Sequence, residues 1–559
     1  MSILDYITIF LFTAGILVAG MSFAKTGSSM KSFFAAGGDV PWWISGLSLF
    51  MGFFSAGTFV VWGSIAYSYG WVAITIQLTM SLAGFMVGVF LAPRWKNTNV
   101  LTAAEYITNR LGLKVQKAYT YIFLFISLFT TGAFLYPVAK IVEVTTGFPL
   151  QSSILLLGAI CIIYVTVGGL RAVVVTDVLQ FVILTAAVLI VVPLSFEKTG
   201  GITAFPDKTP QGFFSVFAGE FTPLFIVAFA IYNMFFLGGN WSYIQRYTTV
   251  RTKKDARKVG LLFGSLYLIS PILWMLPPMI YRTLNPGLSG LADEGAYLMM
   301  CKMALPQGLL GLMLGGMIFA TASSLNGSLN IAAGVFTNDI YKLIRPETPN
   351  GKLMKIARFS TIGFGLLAIV VALLIPLMGG IVNVVISVAA LTGVPLYLPI
   401  IWTLFSKRQN ATSVLSATLI SLTINAVFKF VTPSLFGFGL DRATEMLVGG
   451  LVPIAIMTVF ELYFISKNKH DFKYDEYKVW RQNRENEVNA ELKAYDQSGG
   501  TVKSDNKQSY KVIGTGISLT GIAIFILGLM AKGFPQLVVV SLASVLIVFG
   551  GWIFIKTRK

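Results

Sequence analysis

Three stretches of the chain place glycine, hydroxyl and amide residues inside long apolar runs without a single charge. They are residues 48–58 with Gly52, Ser55, Gly57 and Thr58, residues 232–240 ending in Gly238, Gly239 and Asn240, and residues 320–328 with Thr321, Ser323, Ser324, Asn326 and Ser328. Glycines in apolar helices often serve only close packing. When they recur at matching positions of two helices, they also indicate interrupted helices, whose exposed carbonyl oxygens suit a hard cation such as Na⁺. The chemistry predicted here is ion binding by uncharged oxygen atoms.

The third stretch offers the densest set of hydroxyl groups. A serine in a membrane helix commonly bonds back to the carbonyl four residues earlier, and this is the structural interpretation of Ser323 and Ser324. The alternative is that both hydroxyls and the Ala320 carbonyl face the carbonyls of residues 48–58. That arrangement gives Na⁺ about five neutral oxygen ligands.

The elements that must position these stretches are membrane-spanning helices. Of 559 residues, 55% are hydrophobic and 12% are charged, about half the charged share of a globular protein. At about 20 residues per span, the apolar runs predict an all-α membrane protein with about 15 transmembrane helices. The spans fall near residues 3–23, 41–69, 71–92, 118–145, 151–168, 175–195, 222–239, 259–281, 305–338, 357–376, 380–404, 411–432, 446–465, 512–531 and 537–555.

The few residues typical of catalytic and metal sites argue against an enzyme. The single histidine, His470, lies in the charged stretch 467–471. Neither a histidine-based metal cluster nor a buried Ser-His pair can be built from it. Cys161 and Cys301 are far apart in sequence and are interpreted as membrane-core thiols rather than a disulfide. The prediction is a protein that is not an enzyme and has no cofactor.

The basic residues predict how the chain lies in the bilayer. Asp5 precedes the first apolar run and Lys25 follows it, which places the N-terminus outside. With 15 spans, 34 of the 42 Lys and Arg residues then fall inside and 8 outside, and the C-terminus is cytoplasmic. The net charge of +18 therefore reflects membrane orientation rather than nucleic-acid binding. The predicted location is the plasma membrane of a bacterium, the inner membrane if it is Gram-negative, with multiple passes.

The interrupted runs lie five spans apart, which predicts two units of five helices. Because five is odd, the units are inverted relative to each other. The predicted organisation is an N-terminal helix and cytoplasmic loop (1–40), an inverted-repeat core (41–410, repeats about 41–195 and 222–405), two additional helices (411–466), a polar cytoplasmic loop (467–511) and two C-terminal helices with a cytoplasmic tail (512–559). Within the polar loop, residues 478–493 predict a short charged helix, and a solvated linker is favoured over a regulatory element.

Four stretches give the chain a resemblance to a known family. They are residues 164–180 around Gly168, Gly169 and the Thr176-Asp177 step, residues 240–246, residues 320–326 continuing to 337–341, and residues 101–106 with Arg110. At these positions the chain resembles the sodium:solute symporter family, which transports sugars, proline, pantothenate, monocarboxylates and sialic acid. The resemblance covers roughly residues 40 to 410 and implies a core like that of LeuT.

The resemblance also implies a set of site residues. The implied Na⁺ site consists of the carbonyls of Met51, Phe54 and Ala320 with the hydroxyls of Ser323 and Ser324. The solute would lie beside it, and the candidate contacts are Ser55, Thr58, Gln77, Asn240 and Thr392. In family members that carry two sodium ions, the resemblance implies a second site, which would correspond here to Asp177 and Asn326. Gly327, the next residue, has no side chain that could complete this site. We therefore predict one Na⁺ per solute.

Departures from the sugar carriers leave the solute open. Gln77 stands where an acidic residue is expected, Tyr267 near an expected lysine and Ala389 near an expected glutamine, whereas residues 55–71 are closer to the carboxylate and pantothenate branch. The predicted function is a sodium-coupled symporter that imports a small organic solute, a sugar, carboxylate or similar molecule, by alternating access. Its predicted partners are Na⁺, this solute and the lipid bilayer. The alternatives are a membrane-embedded sensor and a sodium-permeable channel on the same fold.

Overall fold

The computed structural model describes residues 1–21, 40–100, 102–164, 170–341, 344–345, 347–497 and 501–556. Helices make up most of these ranges, no strands are present in them, and turns and loops with one isolated bridge between Ala218 and Phe221 make up the rest. A helix satisfies its own backbone hydrogen bonds, which the interior of a bilayer requires. Leu101 and the predicted Gly168-Gly169 pair lie outside the described residues.

The longer helices, each of seven residues or more, are numbered here in chain order. In chain order they are α1 (Ile3–Met21), α2 (Trp42–Met51), α3 (Gly63–Tyr69), α4 (Val72–Asn97), α5 (Ala103–Leu111), α6 (Leu113–Thr146), α7 (Leu150–Tyr164), α8 (Leu170–Thr199), α9 (Pro223–Gly239), α10 (Trp241–Thr248), α11 (Lys253–Leu284), α12 (Ala296–Ala304), α13 (Leu309–Val335), α14 (Asn350–Leu374), α15 (Gly380–Thr403), α16 (Ala411–Ala426), α17 (Arg442–Ser466), α18 (Phe472–Gln497), α19 (Thr501–Met530) and α20 (Phe534–Lys556).

The described helices support part of the predicted span count. Ten are long and apolar enough to cross a membrane, and the bent pair α9 and α10 makes an eleventh. Four shorter apolar helices, Ile3–Ile16, Trp42–Met51, Leu150–Ala159 and Leu309–Thr321, fall in the other four predicted spans. The all-helical membrane architecture is confirmed, and the number fifteen stays a prediction.

The centre of the bundle is the crossing of α4 and α11. A Cβ atom added to Gly84 would lie 2.7 Å from the Cα atom of Gly264, so the two backbones are almost in contact. Small residues allow this close approach between membrane helices. Helix α2 packs against α11 and α8, and α9 packs against α4 and α15. The two glycine-rich stretches of the second and seventh spans therefore belong to helices that pack against one pair of helices, α4 and α11.

A buried carboxylate fixes α1 to the start of α13. Asp5 is 3% exposed, and its Oδ1 accepts hydrogen bonds from the amides of Gly308 at 2.8 Å and Gly311 at 3.0 Å. Thr8 donates to the Gly308 carbonyl at 2.8 Å. An acidic side chain at a helix N-terminus satisfies amides that have no partner within the helix. Helix α1 therefore fixes the N-terminal end of α13, the helix that carries the hydroxyl-rich stretch.

The helices in the segment 467–511 begin earlier than predicted. Helix α18 begins at Phe472 rather than 478, and α19 begins at Thr501 rather than 512. Asp471 forms an ion pair of 2.6 Å with the fully buried Arg110, which also donates to the Gln409 carbonyl at 2.9 Å. Tyr477 is buried against Tyr106 of α5, with ring centroids 5.6 Å apart. A buried arginine and an aromatic face therefore anchor the start of this segment, whereas most described residues from Phe472 to Ala490 are exposed; its role as a linker stays a prediction.

Candidate functional site: two interrupted helices

The second span is interrupted just after Met51. Helix α2 ends there, and the amides of Phe53 and Phe54 both bond to the Phe50 carbonyl, at 3.0 and 3.1 Å. The helix resumes where Thr58 donates its amide to the Ser55 carbonyl at 3.0 Å. In the part of the chain that the structure describes, no backbone amide outside the helices donates to the carbonyl of Met51 or Phe54. These two carbonyls are therefore the candidates at this break for binding a cation.

Helix α13 holds the resumed part of this span. The Ala56 amide donates to Oγ1 of Thr321 at 2.9 Å, and Thr321 donates in turn to the Met317 carbonyl at 2.8 Å. Ser324 donates to the Ala320 carbonyl at 3.3 Å, the local bond that its spacing allows. The predicted hydroxyl-rich stretch therefore does lie at the break. The side chains of Ser323 and Asn326 fall outside the described residues.

The seventh span is interrupted at Asn240. Helices α9 and α10 meet at 59°, and Asn240 between them is extended, with φ −65° and ψ 129°. Two of the carbonyls that precede the break accept hydrogen bonds from side chains. Trp95 Nε1 donates to the Gly238 carbonyl at 2.7 Å, and the Tyr247 hydroxyl donates to the Leu237 carbonyl at 3.1 Å. The bend lengthens the predicted span 222–239 to Thr248.

Aromatic rings fill the space between the two breaks. Phe53 lies 4.8 Å from Tyr243 and 6.1 Å from Phe236, measured between ring centroids. Phe236 stacks on Tyr232 at 5.2 Å and lies 5.8 Å from Tyr397 of α15. The broken spans thus meet across phenyl and phenol groups. These tyrosines were not predicted as site residues, although aromatic residues inside both glycine-rich stretches were a signal for them.

Three of the five predicted solute contacts lie at the two breaks. Ser55 and Thr58 are buried at the first break, where the Ser55 amide donates to Thr58 Oγ1 at 3.3 Å. Asn240 is half-buried at the second break and donates to the Tyr397 hydroxyl at 3.3 Å. Thr392 donates to the Val388 carbonyl of its own helix at 2.7 Å. Gln77 is 2% exposed, and its Nε2 has no partner among the described residues.

A second polar network lies one helical turn before the first break. Ser48 donates to Oδ2 of the buried Asp177 at 2.6 Å and accepts from Nε of Arg246 at 3.2 Å. Arg246 also donates to the Ser242 carbonyl at 3.4 Å. Three helices, α2, α8 and α10, are thus joined through one serine hydroxyl. Neither Ser48 nor Arg246 was predicted as a site residue.

Family membership follows from a comparison with protein-family models. The model of the sodium:solute symporter family matches residues 33–421, which include both breaks and the network around Ser48. The chain belongs to the sodium:solute symporter family.

Known members resemble this symporter over most of its length. The sodium/sialic acid symporter SiaT of Proteus mirabilis is 24% identical over 80% of this chain and 94% of its own. The sodium/sialic acid symporter NanT of Aliivibrio fischeri is 26% identical over 75% and 86%. The sodium/glucose cotransporter of Vibrio parahaemolyticus is 28% identical over 68% and 76%.

Solved structures show the same fold. A substrate-bound, outward-open Na⁺-coupled sialic acid symporter matches with a TM-score of 0.69 and 22% identity, over 82% of this chain and 97% of that chain. A nucleobase-cation-symport-1 family transporter in a closed conformation matches with a TM-score of 0.50 and 15% identity, over 79% and 96%. This symporter therefore has the LeuT-like fold. It is a multi-pass, sodium-coupled membrane symporter as predicted, and the sensor and channel alternatives receive no support.

Proposed function

We propose that the symporter binds Na⁺ at the first break and a small organic solute between the two breaks. The observation that carries this proposal is the contact between the Ala56 amide and Thr321, which holds α13 against the break. The proposed sodium ligands are the carbonyls of Met51, Phe54 and Ala320 and the hydroxyls of Ser323 and Ser324. A hard cation suits this uncharged set of oxygen atoms.

The solute site shares the aromatic surface between the breaks. We assign Ser55, Thr58 and Asn240 to it because they lie at the interruptions, and Gln77 because its buried amide nitrogen has no partner among the described residues. Thr392 stays a weaker candidate, since its hydroxyl already bonds to its own helix. Sodium bound next to this surface would order the first break and so favour solute binding, which is the coupling that symport requires.

The test is uptake into proteoliposomes with an imposed Na⁺ gradient, across sugars, sialic acids, amino acids and monocarboxylates. One charge that moves through 100 mV contributes about 2.3 kcal/mol, which corresponds to roughly fifty-fold accumulation of a neutral solute at one Na⁺ per solute. Uptake should therefore increase with an inside-negative potential. Sodium flux that is independent of every solute would contradict coupled transport and favour a channel.

The organisation and orientation of the chain complete the proposal. The core would comprise residues 41–410 with inverted repeats at about 41–195 and 222–405, each beginning with its broken span. The N-terminus would lie outside and the C-terminus in the cytoplasm of a bacterial cell. Cysteine introduced at exposed Asn486 should be shielded from an impermeant thiol reagent in intact cells, whereas cysteine at exposed Asp207 should react. The reverse labelling pattern would overturn this orientation.

A further inference from the structure

The two breaks create helix N-termini, which are the usual binding groups for an anion in a site without basic residues. At the first break two of these amides are already occupied. The Ala56 amide donates to Thr321 at 2.9 Å, and the Ser55 amide donates to Thr58 at 3.3 Å. Both acceptors are hydroxyls of the protein itself. A carboxylate on the solute would have to displace them.

The N-terminus of α10 is occupied in the same way. Asn240 Oδ1 accepts from the Ser242 amide at 3.0 Å. The amides of Tyr243 and Ile244 both donate to the Asn240 carbonyl, each at 3.0 Å. Asn240 thus accepts the hydrogen bonds of three backbone amides in the first turn of α10. The position of this turn beside the solute site does not make it a binding group for an anion.

The basic side chains near the membrane core are also engaged. Arg246 lies beside the breaks, but its guanidinium bonds to Ser48, which bonds to the carboxylate of Asp177. Lys140 is paired with Glu143 at 2.8 Å, and Lys429 with Glu445 at 2.9 Å. Each of these cations has an acidic group of the protein close by. An anionic solute would find no uncompensated positive charge among them.

The remaining donors suit uncharged oxygen atoms. Gln77 lies one turn before Ser81, whose hydroxyl donates to the Gly264 carbonyl at 2.8 Å, so this side of α4 faces α11. Tyr267, one turn after Gly264, lies 6.1 Å from Phe53. Gln77 therefore lies on the side of α4 that faces α11, the helix whose Tyr267 contacts Phe53 of the aromatic surface, and its Nε2 has no partner among the described residues. An amide donor beside aromatic faces matches a molecule with hydroxyl or carbonyl groups on an apolar frame.

We infer that the solute is a neutral, hydroxyl- or carbonyl-bearing molecule without a carboxylate or other anionic group. This inference rests on the proposed solute site between the breaks. It separates this symporter from its sialic acid relatives, whose named substrate is an acid. An unpaired anion in a site with little water is strongly disfavoured. The expected discrimination against the acid of a matched pair is about 100-fold or more in uptake rate.

The experiment uses purified full-length protein in proteoliposomes under a Na⁺ gradient. The first probes are two matched pairs, glucose with glucuronate and galactose with galacturonate, together with neutral N-acetylmannosamine and the larger acid N-acetylneuraminate. The second are two fractions of a bacterial cell extract, one that passes through cation- and anion-exchange resins in series and one that is eluted from them. Sodium-dependent current and uptake are recorded for every probe.

We expect the neutral fraction to produce Na⁺-dependent current and the retained fraction to produce less than about one hundredth of it at equal solute concentration. A hundred-fold excess of N-acetylneuraminate should leave uptake from the neutral fraction unchanged. Current from the retained fraction alone, or from the acids of the matched pairs, would overturn the inference but leave symport intact. Absence of Na⁺-dependent current with both fractions would contradict solute symport itself, and the inference with it.

Discussion

The two interrupted helices of the core have opposite arrangements of their released carbonyl groups. At the second span, the Met51 and Phe54 oxygens accept no amide hydrogen among the described bonds outside helices. At the seventh span, Trp95 donates to the Gly238 carbonyl and Tyr247 donates to the Leu237 carbonyl. An acceptor that is left without a donor in an apolar interior is costly unless a ligand satisfies it. This difference supports the proposal that the ion binds at the first break.

The side-chain partners of the two breaks also favour a cation at the first break and a solute at the second. The first break contacts α13, whose hydroxyls can add ligands to a cation. The second contacts α15 through the Asn240 and Tyr397 side chains, both groups that can rearrange around a solute. A cation site requires fixed oxygen atoms, whereas a solute site needs donors and acceptors that adapt. We therefore expect changes at the first break to alter Na⁺ affinity and changes at the second to alter solute transport or stability.

The largest effect is expected from crowding the second break. A Cβ atom on Gly239 would collide with the Cβ atom of Tyr397, so Gly239→Ala must push α9 away from α15. Overpacking of this kind costs about 1–3 kcal/mol, and solute uptake should fall by about tenfold or more. The matched control is Gly57→Ala, where the nearest atom is Ser55 Oγ at 3.6 Å. Equal uptake by both variants in protein that is monodisperse by gel filtration would contradict the assignment.

Removing a sodium ligand should have the next largest effect. Ser323→Ala and Ser324→Ala each delete an oxygen atom that a partly desolvated cation needs. A hydrogen bond or ligand contact to a charged group contributes about 1.5–3 kcal/mol, so the half-saturating Na⁺ concentration should rise about tenfold or more. Ser328→Ala, one turn further along α13, is the control and should leave it unchanged. If neither Ser323→Ala nor Ser324→Ala changes the Na⁺ dependence, the proposed sodium site is wrong.

A smaller effect should follow from removing a side-chain hydrogen-bond donor at the second break. Tyr247→Phe removes the hydroxyl that donates to the Leu237 carbonyl without changing the ring. An unsatisfied buried acceptor costs about 1–3 kcal/mol, which should lower the thermal unfolding temperature in detergent. The half-saturating Na⁺ concentration should stay within about twofold of the wild type, because this carbonyl is not a ligand. A large loss of Na⁺ affinity with unchanged stability would mean that both breaks bind ions.

Parts of this comparison could be predicted from the sequence, because they are local. Glycine, hydroxyl and amide residues inside apolar runs predicted both interruptions, and the predicted span 222–239 matches Pro223–Gly239 closely. The groups that distinguish the breaks could not be predicted. Trp95 is 143 residues from Gly238, and Thr321 is 265 residues from Ala56. Such contacts depend on how the helices pack, which no local pattern contains.

The anchoring of α18 shows a signal that was present but not used. Tyr474, Tyr477 and Trp480 recur every three residues, which places three aromatic rings along one side of a helix. The charged residues between them suggested a solvated segment instead. Arg110 was quoted for its family resemblance, yet its partner Asp471 is 361 residues away. The buried ion pair could be recognised only once the fold had brought both residues together.

The smallest expected effect concerns the number of sodium ions. Asp177 accepts from Ser48, and Ser48 accepts from Arg246, so the carboxylate already lies close to a positive charge of the protein. A second Na⁺ at Asp177 and Asn326 would have to share this carboxylate with the network, and Gly327 adds no side-chain ligand. We therefore expect a sodium Hill coefficient near one in the wild type.

Asp177→Asn keeps an acceptor for Ser48 but leaves Arg246 without its counter-charge, so it should lower expression or stability more than Na⁺ affinity. The control Ser48→Ala breaks the same network without removing a charge and should also leave the Hill coefficient unchanged. A Hill coefficient near two that Asp177→Asn reduces to one would show that the carboxylate binds a second ion, and that Arg246 moves away to admit it.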